Sequence, residues 1–272
     1  MMKKSTKSEV RNGFPLQGKR ILVTRPEHQA ADFIASLRAL GATPISFPTI
    51  EIRAIEDTRP LDEALRRIEQ ASQPAYDWLI LTSVNGVDAF WERLDQLGLD
   101  SRVLAATKVA AIGPATAEAL EQRHIRPDLV PEVYTAEGIL EAFDQTGSVA
   151  GRHFLLARAD IARKTLADGL RERGALVDEI AAYSTSPVTG VMLPPPADIV
   201  TFTSSSTVQG YVNCLAGRAP VEWLQKSQVV CIGPITAATA RELGLPVHAV
   251  ATVYTIDGLL DALNSLDVVG NR

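Results

Sequence analysis

The chain has 272 residues, of which 46% are hydrophobic and 22% charged, and its formal net charge is −5 at neutral pH. This length is enough for one large or two ordinary domains, and we expect two. The negative charge and the lack of any basic block argue against a nucleic-acid partner and against binding to an anionic membrane. No apolar segment has membrane-spanning length, and Cys214 and Cys231 show no ligand or redox spacing. We therefore expect a soluble, cytoplasmic protein.

The N-terminal residues 1–17 carry positive charge without a following apolar run, which predicts a loose tail rather than a signal peptide. After them, short apolar runs alternate with segments of helical period. This alternation predicts an α/β fold with buried, parallel strands. Gly41 and Gly174 each follow a helical segment and are predicted to supply its left-handed cap. The predicted strands are RILVT (20–24), DWLILT (77–82), KVAAIG (108–113), HFLLAR (153–158) and VDEIAAY (177–183).

One part of the chain occurs twice. The stretches VAAIGPATAEAL (109–120) and VVCIGPITAATA (229–240) share an apolar run, a Gly-Pro-x-Thr-Ala turn and the start of a helix. A Thr-Ser pair precedes both turns, and a Tyr-Thr pair that predicts a further capped helix follows both. The repeated pairs are Thr82-Ser83 with Thr203-Ser204, and Tyr134-Thr135 with Tyr254-Thr255.

A second, weaker repeat relates residues 21–42 to 154–175, with Arg25 matching Arg158. The two repeats alternate along the chain, so they predict two similar lobes, although spacing alone leaves open which copies share a lobe. Residues 48–60 and 183–198 connect the repeats. The second connector contains three consecutive prolines, so part of it should be extended rather than helical.

The Gly-Pro-x-Thr-Ala turns allow two interpretations. Thr116 and Thr236 are either helix caps, which we favour from the sequence alone, or ligand contacts at the carboxyl end of a parallel sheet. Ser83 and Ser204 are also predicted N-caps. If the hydroxyls and helix starts of both lobes surround one cleft, they would bind carboxylates or phosphates without net positive charge.

No phosphate-binding loop, nucleophile elbow, zinc motif or cysteine pair is present, which argues against nucleotide, metal and serine-nucleophile chemistry. We therefore expect neither a metal nor a cofactor. The four histidines are scattered and have no ligand spacing. His124 matches Gly244 of the repeat, which predicts a helix-ending position better suited to glycine.

Three further side chains follow buried strands. Tyr183 stands at the predicted end of its strand, where a phenol either packs, the alternative favoured by residue type, or donates a proton. Arg25 and Arg158 each pair with a carboxylate, which belongs either to a ligand or to the protein.

Taken together, these motifs resemble the uroporphyrinogen-III synthase family over residues 20–263. The resemblance rests on the order and spacing of LVTRP, LTSVNGV, AAIGPATAEAL, TAEGIL, RERGALVDEIAAYSTSP, FTSSSTV, CIGPITA and TIDGLLDAL. It implies two lobes, residues 18–50 with 187–272 and residues 53–184, joined by two crossing strands with a cleft between them.

The resemblance also implies a function. The expected enzyme is a cofactor-independent lyase of haem and other tetrapyrrole biosynthesis, which cyclises linear hydroxymethylbilane to uroporphyrinogen III with inversion of ring D and loss of water. Tyr183 matches the residue that assists departure of the hydroxyl, and Ser83, Thr116, Ser204 and Thr236 match positions that line the family's cleft. We expect a monomer. The alternative is a two-lobed anion-binding or regulatory protein without catalysis.

Overall fold

The computed structural model describes residues 15–70, 75–215, 217–224 and 226–266. The predicted tail at residues 1–17 lies almost entirely outside the described residues. The strands are β1 (Arg20–Val23), β2 (Thr43–Ser46), β3 (Ile50–Ala54), β4 (Trp78–Leu81), β5 (Lys108–Ala111), β6 (His153–Ala159), β7 (Leu176–Pro187), β8 (Ile199–Phe202), β9 (Gln228–Cys231) and β10 (Ala249–Val250). The helices are α1 (Glu27–Ala39), α2 (Arg59–Gln70), α3 (Val84–Gln96), α4 (Pro114–Gln122), α5 (Ala136–Thr146), α6 (Thr165–Glu172), α7 (Ser205–Cys214), α8 (Pro220–Trp223), α9 (Pro234–Glu242) and α10 (Ile256–Asn264), with a 3-10 turn at Ser101–Leu104.

The chain divides into two compact units, each built on a five-stranded sheet. The first unit contains the described residues up to Ile50 and those from Pro187 onward, and its strand order is β10-β9-β8-β1-β2. The second unit is Glu51–Ser186, with the order β3-β7-β6-β4-β5. The strands pair in parallel throughout the first sheet and from β4 to β7 in the second. The predicted α/β class is confirmed.

Helices cover both faces of each sheet, which explains why the strands are continuous apolar runs. In β1, Leu22 packs towards α7 and α9, whereas its neighbours Ile21 and Val23 pack towards α1 and α10. In β6, Leu155 packs towards α2, α3 and α4, and Leu156 towards α5 and α6. Each sheet is therefore the middle layer of a three-layer unit.

Each sheet has a switch point, where the order in which the chain adds strands reverses from one side of a strand to the other. In the first unit the chain passes from β1 to β2 on one side and later resumes at β8 on the other. In the second unit it passes from β4 to β5 and later resumes at β6. The carboxyl ends of β1 and β8, and those of β4 and β6, therefore flank the two switch points, which are the usual ligand sites of open α/β sheets.

Strand β7 is longer than the sequence predicts. Tyr183 was expected to end its strand, but β7 continues to Pro187, so that prediction is wrong. The reason is that β3 lies beside β7 at the sheet edge and supports the extra length. Residues 188–198 form neither helix nor strand, as their prolines predict.

The predicted helix ends are confirmed. Gly41 and Gly174 have φ values of 83° and 81°, in the left-handed region. His124 has a φ of 63° and is the non-glycine residue with positive φ among those described. Its counterpart in the repeat, Gly244, has a φ of 79°. The described helices include none long and apolar enough to cross a membrane.

Replacing His124 with glycine should increase stability, because a side chain in the left-handed region is strained. We expect a gain of roughly 0.5–1 kcal/mol in the free energy of unfolding after the entropic cost of glycine. The reciprocal variant Gly244→His should lose a similar amount, since no atom lies within 4 Å of a Cβ there and only the backbone resists. Urea unfolding of both variants measures the difference. Equal stabilities of His124→Gly and the parent chain would contradict the prediction.

Candidate functional site

The switch point of the second unit holds a pair of hydroxyl groups. Ser83 follows β4 and caps α3, where its Oγ accepts a hydrogen bond from the N–H of Gly86 at 3.0 Å. The same Oγ lies 3.0 Å from the phenolic oxygen of Tyr183 on β7. The predicted cap at Ser83 is confirmed, and the structure brings together two residues that are 100 positions apart in the sequence.

Tyr183 both packs and presents its hydroxyl to polar partners. The residue is 7% exposed, and its ring belongs to the core between the sheet and α2, α3 and α4. Burial raises the pKa of the phenol, the negative charge of Asp160 raises it further, and hydrogen bonds to Ser83 and Asn85 oppose the shift. The phenol is therefore neutral at neutral pH and able to donate a proton. Asn85 and Asp160 are residues of this environment that the sequence analysis did not single out, although Asn85 lies within LTSVNGV.

The structure contradicts the favoured interpretation of the two Gly-Pro-x-Thr-Ala turns, in which their threonines cap the helices. The N-caps of α4 and α9 are Gly113 and Gly233, and neither helix start has a side-chain cap hydrogen bond. Thr116 and Thr236 are instead the third residues of their helices. The prediction that these threonines are helix caps is therefore wrong. The proline that follows each glycine is the first residue of the helix, so the glycine is the cap and the threonine lies inside the helix.

The hydroxyls of Thr116 and Thr236 remain available. The two residues are 4% and 5% exposed. Within the described ranges, neither hydroxyl has a hydrogen-bond partner. Among the described residues, the side-chain N and O atoms that are both fully buried and without a partner are Arg25 Nε and Tyr211 OH. The two threonine oxygens have no partner and are not among these atoms, so each is in contact with solvent. Each can contact a ligand from a helix start at the carboxyl edge of its sheet.

The first unit uses its Thr-Ser turn differently. Ser204 caps α7 by accepting from the N–H of Thr207 at 3.1 Å, and its own N–H donates to Thr207 Oγ1 at 3.2 Å. The Ser204 hydroxyl also lies 2.9 Å from Ser206 Oγ. Ser204 is thus the predicted N-cap, but its partners are local. Thr135 and Thr255 also cap as predicted, each accepting from a backbone N–H three residues on.

The two matching arginines have different surroundings. Arg158 is 4% exposed and forms an ion pair with Glu179, to which its Nε donates at 3.0 Å. The other oxygen of Glu179 accepts from Lys164 Nζ at 2.8 Å. Of the two predicted alternatives for Arg158, a ligand carboxylate or a protein carboxylate, the structure shows the protein carboxylate.

Arg25 has no equivalent of Glu179. The repeat places Ser46 at the matching position, and Arg25 forms no ion pair with any residue in the described part of the chain. Its Nε is buried without a hydrogen-bond partner, and burial lowers the pKa of the guanidinium. Of the two matching arginines, Arg25 is therefore the one that remains able to donate to a ligand carboxylate. No group of three or more His, Cys, Asp or Glu in the described ranges is arranged to hold a metal ion.

Comparison with known proteins identifies the relatives of this chain. The family model "Uroporphyrinogen-III synthase HemD" matches residues 31–261. The uroporphyrinogen-III synthase of Synechococcus elongatus is 36% identical over 261 residues, covering 92% of this chain and 96% of that protein. The porphyrin biosynthesis protein HemD of Ruminiclostridium josui is 34% identical over 260 residues, covering 92% of this chain and 49% of its own length. The chain thus spans about half of that second relative.

Solved structures agree on the fold. A uroporphyrinogen III synthase from Thermus thermophilus superposes with a TM-score of 0.64 at 21% identity, covering 90% of this chain and 96% of the other. A uroporphyrinogen-III synthetase from Helicobacter pylori gives a TM-score of 0.57 at 17% identity, covering 90% and 97%. With the matched family model and the relatives above 30% identity, the conclusion is plain: the chain belongs to the uroporphyrinogen-III synthase family.

Proposed function

We propose that this chain cyclises linear hydroxymethylbilane to uroporphyrinogen III, with inversion of ring D and loss of water, as a lyase of tetrapyrrole biosynthesis. Family membership supports this reaction. The observation that carries it is the neutral phenol of Tyr183, hydrogen-bonded to Ser83 at the switch point of the second sheet. We also propose that the enzyme acts in the cytoplasm as a monomer, without a cofactor and without a nucleic-acid or membrane partner.

In the proposed reaction, Tyr183 acts as a general acid. Its phenolic proton moves to the terminal hydroxyl of the substrate, which leaves as water, and the pyrrole that remains is a stabilised cation. Attack of the substituted carbon of ring D on this cation forms a spiro intermediate. Rearrangement and final ring closure release one proton, which returns to the phenolate. Protons therefore balance over the cycle with one weak acid.

The greater requirement is control of conformation. The substrate also closes spontaneously to the uninverted isomer, so the enzyme must hold its ends where attack at the substituted carbon is favoured. We propose that the lobes 18–50 with 187–272 and 53–184 each provide contacts for substrate carboxylates. The contacts we assign are the hydroxyls of Thr116 and Thr236, the helix starts at Ser83 and Ser204, and the guanidinium of Arg25. Arg158, which was predicted as a further contact, has its charge balanced by Glu179 and receives no direct role.

The decisive measurement uses the intact protein. Hydroxymethylbilane is supplied, the products are oxidised, and the type I and type III isomers are separated. We expect type III from the wild-type protein. In Tyr183→Phe, kcat for type III should fall by roughly a hundredfold or more, because the general acid is lost while the ring still fills the core. Circular dichroism checks the fold. Type I alone, formed at the spontaneous rate by the wild-type protein, would leave the non-catalytic anion-binding alternative.

Ser83 should affect kcat through its hydrogen bond to Tyr183. Ser83→Ala removes a helix cap, at a cost of about 1 kcal/mol, and also removes one of the two hydrogen-bonding side chains on the phenol. We expect kcat to fall roughly tenfold, the equivalent of one hydrogen bond. A double-mutant cycle with Tyr183→Phe separates the two effects. In the Phe background Ser83→Ala should still lower stability but should not lower kcat further, and a second tenfold loss there would refute the coupling.

The threonines of the repeated turns should affect binding without affecting stability. Thr116→Ala and Thr236→Ala should each raise KM by roughly three- to tenfold, since each removes one hydrogen bond to a substrate carboxylate. Neither threonine caps its helix, and the loss of one buried methyl group, about 0.8 kcal/mol, is partly offset by the higher helix propensity of alanine, so the free energy of unfolding should change by less than about 0.5 kcal/mol. Thr255→Ala is the stability control and should lose about 1 kcal/mol with its cap. Unchanged KM in both variants would remove the threonines from the binding site.

A further inference from the structure

Asp160 contacts the backbone of β7 at Tyr183 and at Thr185. It follows the last residue of β6, and its N–H donates to the carbonyl oxygen of Tyr183 at 3.0 Å. Its Oδ1 accepts from the N–H of Thr185 at 3.0 Å and from the N–H of Ile161 at 2.9 Å. One aspartate thus holds the stretch of β7 that carries the phenol.

The strand is irregular at this place. Arg158 pairs with Ala181, but the next residue of β6, Ala159, pairs with Tyr183, so Ala182 is an extra residue in β7. Such bulges turn a side chain away from the direction that regular alternation would give it. Beyond the bulge β6 has ended, and Thr185 is only 8% exposed. The carboxylate of Asp160 supplies the acceptor that a buried N–H of Thr185 requires.

The other unit indicates that this arrangement is not a general feature of the fold. In the weaker repeat, the counterpart of Asp160 is Glu27, in the first turn of α1. Residue 183 lies beyond the repeat; the same spacing leads to Ile50, or to Thr49 once the extra residue Ala182 is allowed for, and neither is a tyrosine. The aspartate and the phenol therefore occur together in one unit only. This co-occurrence points to a role of Asp160 in the function of the phenol rather than in sheet formation.

We propose that Asp160 is a positioning residue for Tyr183, which holds the bulged strand through Thr185 and places a negative charge near the phenol. This inference rests on the proposed function of Tyr183. Ser83 and Asn85 are hydrogen-bonding side chains on the phenol, and Asp160 is the charged group that raises its pKa. Loss of the carboxylate should therefore make the phenol more acidic.

Two substitutions separate position from charge. Asp160→Asn keeps an oxygen that can accept from Thr185 but loses the charge, whereas Asp160→Ala loses both. We expect kcat to fall roughly ten- to a hundredfold in Asp160→Ala with little change in KM, because the acid is misplaced. Asp160→Asn should recover most of this kcat at neutral pH. Failure of asparagine to restore kcat, or wild-type kcat in Asp160→Ala, would overturn the proposal.

The charge is tested by direct titration of residue 183. Incorporation of 3-fluorotyrosine at this position, in the intact protein and in Asp160→Asn, lets the 19F signal report ionisation of that phenol without turnover. The phenol pKa should be lower in Asp160→Asn, and the alkaline limb of the kcat profile should move to lower pH by the same amount. An unchanged titration would overturn the proposal. This readout is independent of the reaction, so it remains informative even if no type III isomer is formed.

Asp77 provides a matched control. Its Oδ2 accepts from the N–H of His153 at 2.7 Å, which is the same kind of bond at the opposite end of β6. Asp77→Ala should therefore lose stability comparable to that lost by Asp160→Ala, with kcat and the titration of residue 183 unchanged. A change in kcat equal to that in Asp160→Ala, or a change in the titration equal to that in Asp160→Asn, would show that both aspartates act only through the stability of the sheet, and would overturn the proposal.

Discussion

Backbone N–H groups at helix starts are the constraint on which the rest of this structure depends. Every parallel strand leads towards the same edge of its sheet, and the first N–H groups of the following helix have no helical acceptor. In these two units a serine or threonine side chain is the acceptor at the starts of α3, α5, α7 and α10. The starts of α4 and α9 have no side-chain acceptor. The edge that must be polar for the fold is therefore also the edge at which we propose that hydroxyls and N–H groups bind the substrate.

Divergence between the repeated halves gives these hydroxyls different tasks. Ser83 caps its helix and also contacts Tyr183, whereas Ser204 caps its helix and is otherwise bonded within its own turn. The arginines differ in the same way, since Arg158 is neutralised by Glu179 and Arg25 is not. On this interpretation the second unit carries the acid and the first keeps a cation for the substrate.

Much of the fold follows from local patterns. Apolar runs correctly indicated the strands β1, β4, β5 and β6, and glycines marked the ends of helices. The unusual backbone of His124 was visible from its match to Gly244, because a position that glycine occupies in one repeat has the same geometry in the other. Two local predictions failed. Spacing could not distinguish a threonine that caps a helix from a threonine that is the third residue of the helix. It also could not show that pairing with β3 extends β7 beyond Tyr183.

By itself the sequence determined the α/β class, the repeats, the capping serines and the set of candidate residues, since each depends on neighbours within a few positions. Only the tertiary structure decided which of these residues act together. The contact between Ser83 and Tyr183 requires β6 to lie between β4 and β7, and the hold of Asp160 on Thr185 requires a bulge of one residue. Strand order and register place side chains from distant positions within hydrogen-bonding distance, and neither can be deduced from spacing along the chain.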